Sequence, residues 1–268
     1  MTATLAKERP KLSETDRFVD EDFALSVLPT RSFGAHKWGV GGLVIVAGAP
    51  GYVGAPALCA MAAGRAGAGI MNLAVPRSAI TAISSLVPEA AYIAMPEGDA
   101  DAVARRAVEP ITAKLEKSKA CVVGPGLGDD DYAAALLAML FGLAPSRRSG
   151  GLGFGVRSNN GVDGAAAKPL IGGERPTVVD ADALNWLAKQ GDWWSSVAPG
   201  CLVLTPHVGE MARLIDREPA EVIADPIAVA KDAATRWGQT VVLKYGYTVA
   251  TDGTRALVAD DAPVSLAT

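Results

Sequence analysis

The sequence predicts an α/β protein: one doubly wound, mostly parallel sheet with helices on both faces, in three layers. Two observations carry this. Short runs rich in valine, isoleucine and leucine alternate with helical stretches along most of the chain, and helices between apolar strands mean parallel pairing through crossovers. In addition, Val178-Val179-Asp180-Ala181-Asp182-Ala183-Leu184-Asn185 and Leu202-Val203-Leu204-Thr205-Pro206-His207-Val208-Gly209-Glu210 share one design. Each runs from a short apolar strand into acid, amide or imidazole groups at the start of a helix. In an open parallel sheet the carboxyl ends of the strands form the crevice where ligands bind. A third strand end, Val241-Val242-Leu243-Lys244-Tyr245-Gly246-Tyr247-Thr248, adds a cation and a glycine. Together they point to a small-molecule site.

Residues 1–33 read as an arm in which 20–27 suits one short helix, and the domain runs over 34–268. Its first strand, 42–47, is a continuous apolar run bounded by glycines. A helix over 55–67 follows, then a strand over 70–75 stopped by Pro76. Helices are expected over 100–117, 129–143, 181–189, 208–215 and 226–237, and strands over 120–124, 177–180, 201–205 and 240–244. Segments 248–251 and 256–259 flank Asp252-Gly253 and read as a β-hairpin. Between 145 and 176 no period is visible, and a disordered insert is expected because the segment lacks the apolar anchors of a closing lid.

Composition narrows the function. Half of the 268 residues are hydrophobic and 20% are charged, which suits a well-buried core. A formal net charge of −4 and no extended basic run argue against nucleic acid. The first residues carry no apolar signal-peptide core, and the most membrane-like run, 132–143, is too short to span a bilayer, so a cytoplasmic location is expected. Cys59, Cys121 and Cys201 have no metal spacing and read as buried free thiols, with no protein-held metal expected.

Each motif has a structural reading beside the functional one. Gly48-Ala49-Pro50-Gly51-Tyr52-Val53-Gly54-Ala55 joins the first strand to its helix, where glycines permit close backbone approach and helix N–H groups face an anion; a plain βα turn would need as much. Its spacing is not that of a dinucleotide-binding Rossmann turn. Gly124-Pro125-Gly126-Leu127-Gly128 suits a turn lying flat against a ligand, or a turn alone. Thr205 is a good N-cap and Pro206 a good first helical residue, which leaves His207 unexplained. Asp182 is a candidate cap. Asp180 ends an apolar strand and needs a partner or a cation, and Lys244 is placed to meet a phosphate or an acid.

Taken together, these residues resemble the ribokinase-like NAD(P)H-hydrate dehydratases. The resemblance runs through His36-Lys37, Gly54-Ala55, Arg65-Ala66-Gly67-Ala68-Gly69, Pro88-Glu89, Gly124 to Gly128, Asp180 to Asn185, Thr205 to Glu210 and Lys244 to Thr248. It implies repair of hydrated NADH or NADPH: ADP or ATP, with Mg²⁺, phosphorylates the hydrate's hydroxyl, and phosphate then leaves. It further implies that Ala55, Gly126 and His207 contact the hydrated dinucleotide, and Asp180 and Asn185 are expected to bind the substrate with them. Lys244, Tyr245, Gly246, Tyr247 and Thr248 would hold the phosphate side of the adenine nucleotide. A functional partnership with an NAD(P)H-hydrate epimerase and a homo-oligomeric state are expected on the same ground.

Two departures stand out. The family's lysine is usually followed by a small residue, whereas Tyr245 and Tyr247 flank Gly246 here. The family also continues past a Leu-Ala-Thr-like segment into a Gly-Thr-Gly-Asp turn whose Asp is the base. Leu266-Ala267-Thr268 precedes that turn, so the domain is expected to be C-terminally incomplete and the catalytic residue is left unassigned. Two rival readings follow: a ribokinase-like kinase of a vitamin precursor such as hydroxyethylthiazole, and a non-catalytic nucleotide-binding remnant.

Overall fold

The computed structural model describes residues 9–30, 32–97, 101–143, 169–173 and 175–260. Most of the expected insert and Leu266-Ala267-Thr268 lie outside the described residues. The strands are β1 (Arg17–Phe18), β2 (Gly42–Val46), β3 (Ile70–Pro76), β4 (Ala91–Met95), β5 (Ala120–Val123), β6 (Thr177–Val179), β7 (Leu202–Leu204), β8 (Thr240–Lys244), β9 (Thr248–Thr251) and β10 (Ala256–Ala259). The helices are α1 (Glu21–Val27), α2 (Lys37–Val40), α3 (Gly54–Ala66), α4 (Ile80–Leu86), α5 (Asp101–Leu115), α6 (Asp131–Phe141), α7 (Asp182–Leu187), α8 (Val208–Ile215), α9 (Pro219–Ala224) and α10 (Pro226–Trp237).

All ten strands form one sheet in the order β4-β3-β2-β5-β6-β7-β8-β9-β10-β1. From β4 to β8 every pairing is parallel, and β9 and β10 close the series as the expected antiparallel hairpin. The chain winds outward from β2 to β4, returns through α5, and winds the other way from β5. Right-handed crossovers then put the helices of the two halves on opposite faces. The core divides accordingly. Ile45, Leu73, Val75 and Ile83 pack with Ala57 and Ala60 of α3 on one face. Val44, Val46, Val123, Val179 and Leu204 pack with α5 to α10 on the other. Alternate residues of β2 thus enter different clusters, and each aliphatic side chain fully buried contributes about 1.5–3 kcal/mol. The α3–α4 layer covers β2 to β4; beyond it, on the same face, Val178, Val203 and Val242 are only partly buried.

Several expectations are corrected. The arm supplies β1, which pairs with β10, and Asp16 binds Lys231 Nζ at 2.9 Å and the Ala256 N–H at 2.7 Å. Strand β4 (Ala-Tyr-Ile-Ala-Met) is an addition to the expected strands, pairing parallel with β3 and burying Ile93 and Met95. Leu170 and Ile171, inside the expected insert, both donate to the Leu140 carbonyl, and Ile171 is fully buried. All three cysteines are free, but only Cys121 is buried; Cys59 and Cys201 are partly exposed. Among the described residues no helix is long and apolar enough to cross a membrane.

Candidate active site

The reversal of strand order between β2 and β5 opens the sheet's switch point, and the loops leaving these strands meet there. The Gly48 N–H donates to the Pro125 carbonyl at 2.9 Å. Gly126, at φ +62°, lies so close to the first turn of α3 that a Cβ on it would come within 3.1 Å of Ala55 Cβ and 3.0 Å of Tyr52 Cβ. Ala55 and Gly126 are therefore in contact, although 71 positions separate them in sequence (126 − 55). Gly124, at φ +116°, packs against the next loop, where a Cβ would fall inside the Asp180 carbonyl oxygen and 2.6 Å from Ala183 Cβ. Asp182 caps no helix: its carboxylate accepts the Gly128 N–H at 2.8 Å and ties the two loops together.

Asp180 finds both kinds of partner its position demands. One carboxylate oxygen accepts from the Thr205 hydroxyl at 2.7 Å and from Lys244 Nζ at 2.8 Å, linking the ends of β6, β7 and β8. The side chains are only partly exposed, 27% for Asp180 and 44% for Lys244. Ala181 follows at φ 51°, a non-glycine in the left-handed region, and its strain of about 1–3 kcal/mol is held by the Gly124 contact. Cys59 of α3 lies within the field of this cluster: burial pushes its thiol up, and the Asp180 charge adds to the rise.

The expected cap of α8 is displaced. The pairing of β7 with β8 continues past Leu204, with Lys244 N–H donating to the Pro206 carbonyl at 2.8 Å and His207 bridged to Lys244. Thr205 is consequently still extended, and its hydroxyl turns to Asp180 instead of the helix. His207 is the N-cap: its Nδ1 accepts from the N–H groups of Gly209 (3.0 Å) and Glu210 (3.4 Å), while Glu210 accepts the His207 N–H at 2.8 Å. This reciprocal capping box accounts structurally for both residues. Lys244 and Thr248 face each other across a hairpin whose three-residue turn holds Tyr245, Gly246 and Tyr247; the Tyr245 N–H donates to the Tyr247 carbonyl at 3.1 Å and the two rings stand edge to face at 5.9 Å. Asn185, on α7, accepts from Arg213 Nε at 2.9 Å. Arg213 went unremarked in the sequence, although its i,i+4 spacing from Gly209 on a helix puts it on the same face.

The candidate residues are thus carried by five neighbouring strand ends, β2, β5, β6, β7 and β8. At 4.7–4.9 Å per strand that row is about 19 Å long, enough for an extended nucleotide. Two cavities, of about 730 and 500 Å³, open instead at the opposite rim, lined among others by His36, Gly41, Lys119, Arg65 and Glu89. Packing accounts for His36 and Gly69 of the motif residues there. His36 caps α2, Lys119 Nζ is engaged by the Gly39 and Val40 carbonyls, and any side chain at Gly69 would strike the Lys37 carbonyl. The strand-end rim, with its charged groups, is the candidate site. Among the described residues no group of three or more His, Cys, Asp or Glu could cage a metal.

Sheet order and switch-point crevice define a doubly wound α/β fold, and the solved structures that superpose on it include ribokinase-like proteins. A ribokinase-like superfamily protein from Enterococcus faecalis superposes with a TM-score of 0.73 at 18% identity, over 97% of this chain and 77% of that one. The ADP/ATP-dependent NAD(P)H-hydrate dehydratase of Bacillus subtilis, co-crystallized with ATP/Mg²⁺, gives 0.67 at 21% identity, over 96% and 76%. The NAD(P)H-hydrate dehydratase family model matches residues 43–144 and 151–266, resuming inside the expected insert. The ADP-dependent (S)-NAD(P)H-hydrate dehydratase of Neisseria meningitidis is 30% identical over 250 residues, 90% of this chain and 69% of that protein. A bifunctional NAD(P)H-hydrate repair enzyme of Moorella thermoacetica is 33% identical over 238 residues, 87% of this chain. The match spans only 38% of that bifunctional relative's length. This chain belongs to the NAD(P)H-hydrate dehydratase family.

Proposed function

We propose that this protein repairs nicotinamide nucleotides by ADP- or ATP-dependent dehydration of the S form of hydrated NADH or NADPH. The observation that carries the reading is the linked cluster of Asp180, Thr205 and Lys244 at adjacent strand ends, with Ala55 against Gly126 on one side and His207 on the other. The hydrate's hydroxyl oxygen forms a bond to the terminal phosphorus of the nucleotide as its proton is released to solvent, and the bridging P–O bond breaks to free AMP from ADP or ADP from ATP. The ring nitrogen lone pair then expels phosphate, and loss of a ring proton restores the reduced nicotinamide. Phosphorylation is useful because a hydroxyl leaves poorly and phosphate leaves well.

In this scheme Ala55, Gly126 and His207 line the hydrated dinucleotide. The hairpin from Lys244 to Thr248 lies along the phosphates of the adenine nucleotide. Asp180 is a positioning residue, holding Lys244 ready to exchange its carboxylate for a phosphate. An epimerase that converts the opposite hydrate epimer to the S form is the functional partner. The Neisseria and Bacillus relatives, named for ADP-dependent and ADP/ATP-dependent dehydratase activity, support the choice of phosphoryl donor.

The test follows recovery of reduced-nicotinamide absorbance from hydrated NADH with ADP or ATP and Mg²⁺, using the full-length protein. Lys244→Ala should raise the KM for the adenine nucleotide about 10- to 100-fold, the range of one lost charged hydrogen bond. Phosphorylation of a hydroxyethylthiazole-type alcohol without hydrate repair would overturn the reading in favour of the kinase. Nucleotide binding with no turnover would favour the remnant.

A further inference from the structure

Arg213 belongs to none of the residues placed above in the reaction. Its side chain runs back toward the N-terminus of α8, the direction helical side chains take. Nε donates to Asn185 Oδ1 at 2.9 Å, and Nη1 lies 3.9 Å from the point a Cβ on Gly209 would occupy. The same point is 3.0 Å from His207 Cε1. Guanidinium and imidazole therefore flank one glycine at the crevice rim; a Cβ there would press on the imidazole and sit in ordinary contact with the guanidinium. Among the described residues the polar partner of Arg213 is a neutral amide, so its charge is not matched by a carboxylate. The nearby carboxylate of Glu210 is buried, with an exposure of 5%, and is engaged by His207. Asn185 accepts from Nε and orients the exposed guanidinium, and among the described residues no acceptor engages either Nη group. That planar fork is the group best matched to paired phosphate oxygens.

We infer that Arg213, oriented by Asn185, recognises a phosphate of the hydrated dinucleotide beside His207. This rests on the dehydratase reading and deepens it. The diphosphate bridge, common to both substrates, and the 2′-phosphate, present only on hydrated NADPH, offer the same oxygen chemistry. The inference gives the asparagine that closes the Asp180–Asn185 segment an indirect part in substrate binding, through Arg213.

The experiment measures kcat, KM and melting temperature for Arg213→Gln, Arg213→Lys and Asn185→Ala in the full-length protein, with hydrated NADH and hydrated NADPH separately. Arg213→Gln should raise KM about 10- to 100-fold while changing kcat little, because the contact is made equally in ground and transition states. Arg213→Lys should not restore KM fully, since ammonium lacks the fork. Asn185→Ala should raise KM less than Arg213→Gln. A rise confined to hydrated NADPH assigns the 2′-phosphate, and a rise for both assigns the diphosphate. Unchanged KM for both substrates, with or without a lower melting temperature, would overturn the inference and leave Arg213 as a tie between helices. If the wild-type protein repairs neither hydrate, the functional reading falls by itself. Binding of NAD⁺ and NADP⁺ to wild type and Arg213→Gln then decides the inference: weaker binding by the variant upholds it, and equal binding overturns it.

Discussion

Replacing Gly124 by alanine bears on whether the β5 and β6 loops are locked together as the crevice requires. The new methyl group would lie inside the Asp180 carbonyl oxygen, 2.6 Å from Ala183 Cβ and 2.9 Å from the Ala183 nitrogen. None of these is the tip of a flexible side chain, so the backbone of α7 must move. Overpacking of this kind costs about 1–3 kcal/mol, and an alanine at φ +116° adds about 1–3 kcal/mol of backbone strain. The sum, about 4 kcal/mol at mid-range, corresponds to a melting temperature lower by about 8–16 °C in a chain of this size. Gly126→Ala is the control. At φ +62° the alanine costs about 1–2 kcal/mol, and its neighbours at 3.0 and 3.1 Å need shift only slightly. That variant should stay folded yet lose affinity for hydrated NADH, because its methyl group enters the gap beside Ala55. Scanning calorimetry and a binding titration on both variants decide the matter. A Gly124→Ala melting temperature within 3 °C of wild type, roughly the effect of 1 kcal/mol, would refute the locked-loop geometry.

Two other perturbations separate structural from functional roles. His207→Ala should cost about 1 kcal/mol through loss of the α8 cap, whereas His207→Asn should recover that stability without recovering hydrate affinity; full recovery of affinity would make His207 a cap and nothing more. Burial alone would raise the Asp16 carboxyl, but hydrogen bonds from Ser13, Lys231 and the Ala256 N–H, and the Lys231 charge, hold it near 2 against an ordinary 3.8. Because the folded value is the lower one, its contribution is complete above about pH 4 and is lost as pH falls through 2; after screening it is on the order of 1–2 kcal/mol. Asp16→Asn should therefore flatten the acid limb of the urea-stability profile between those values, and an unchanged limb would show that the arm's docking does not depend on this carboxylate.

The alternation of Val44 and Val46 with Ile45 and Ala47, the turn glycines of the 124–128 segment and the Asp252-Gly253 hairpin are local patterns. Periodicity and allowed backbone angles alone made most strands, most helices and the doubly wound sheet legible in the sequence. The Asp180–Asn185 and Thr205–Glu210 motifs likewise pointed to the strand-end rim. Partners were another matter. That Asp180 meets Lys244, 64 positions on, depends on β6, β7 and β8 lying side by side, and no local signal encodes that adjacency. The exchange of roles between Thr205 and His207 has the same origin, since interstrand pairing through Pro206 and His207 outweighed the local preference for threonine as a cap. The arm's short strand, the burial of Ile171 and the seat of Arg213 beside Gly209 each rest on contacts that exist only once the sheet has assembled. The sequence by itself determined most of the strands, helices and turns, because those choices are settled within a few residues; which charges neutralise one another was decided by the tertiary structure, because Coulombic and hydrogen-bond partners are chosen by distance in space.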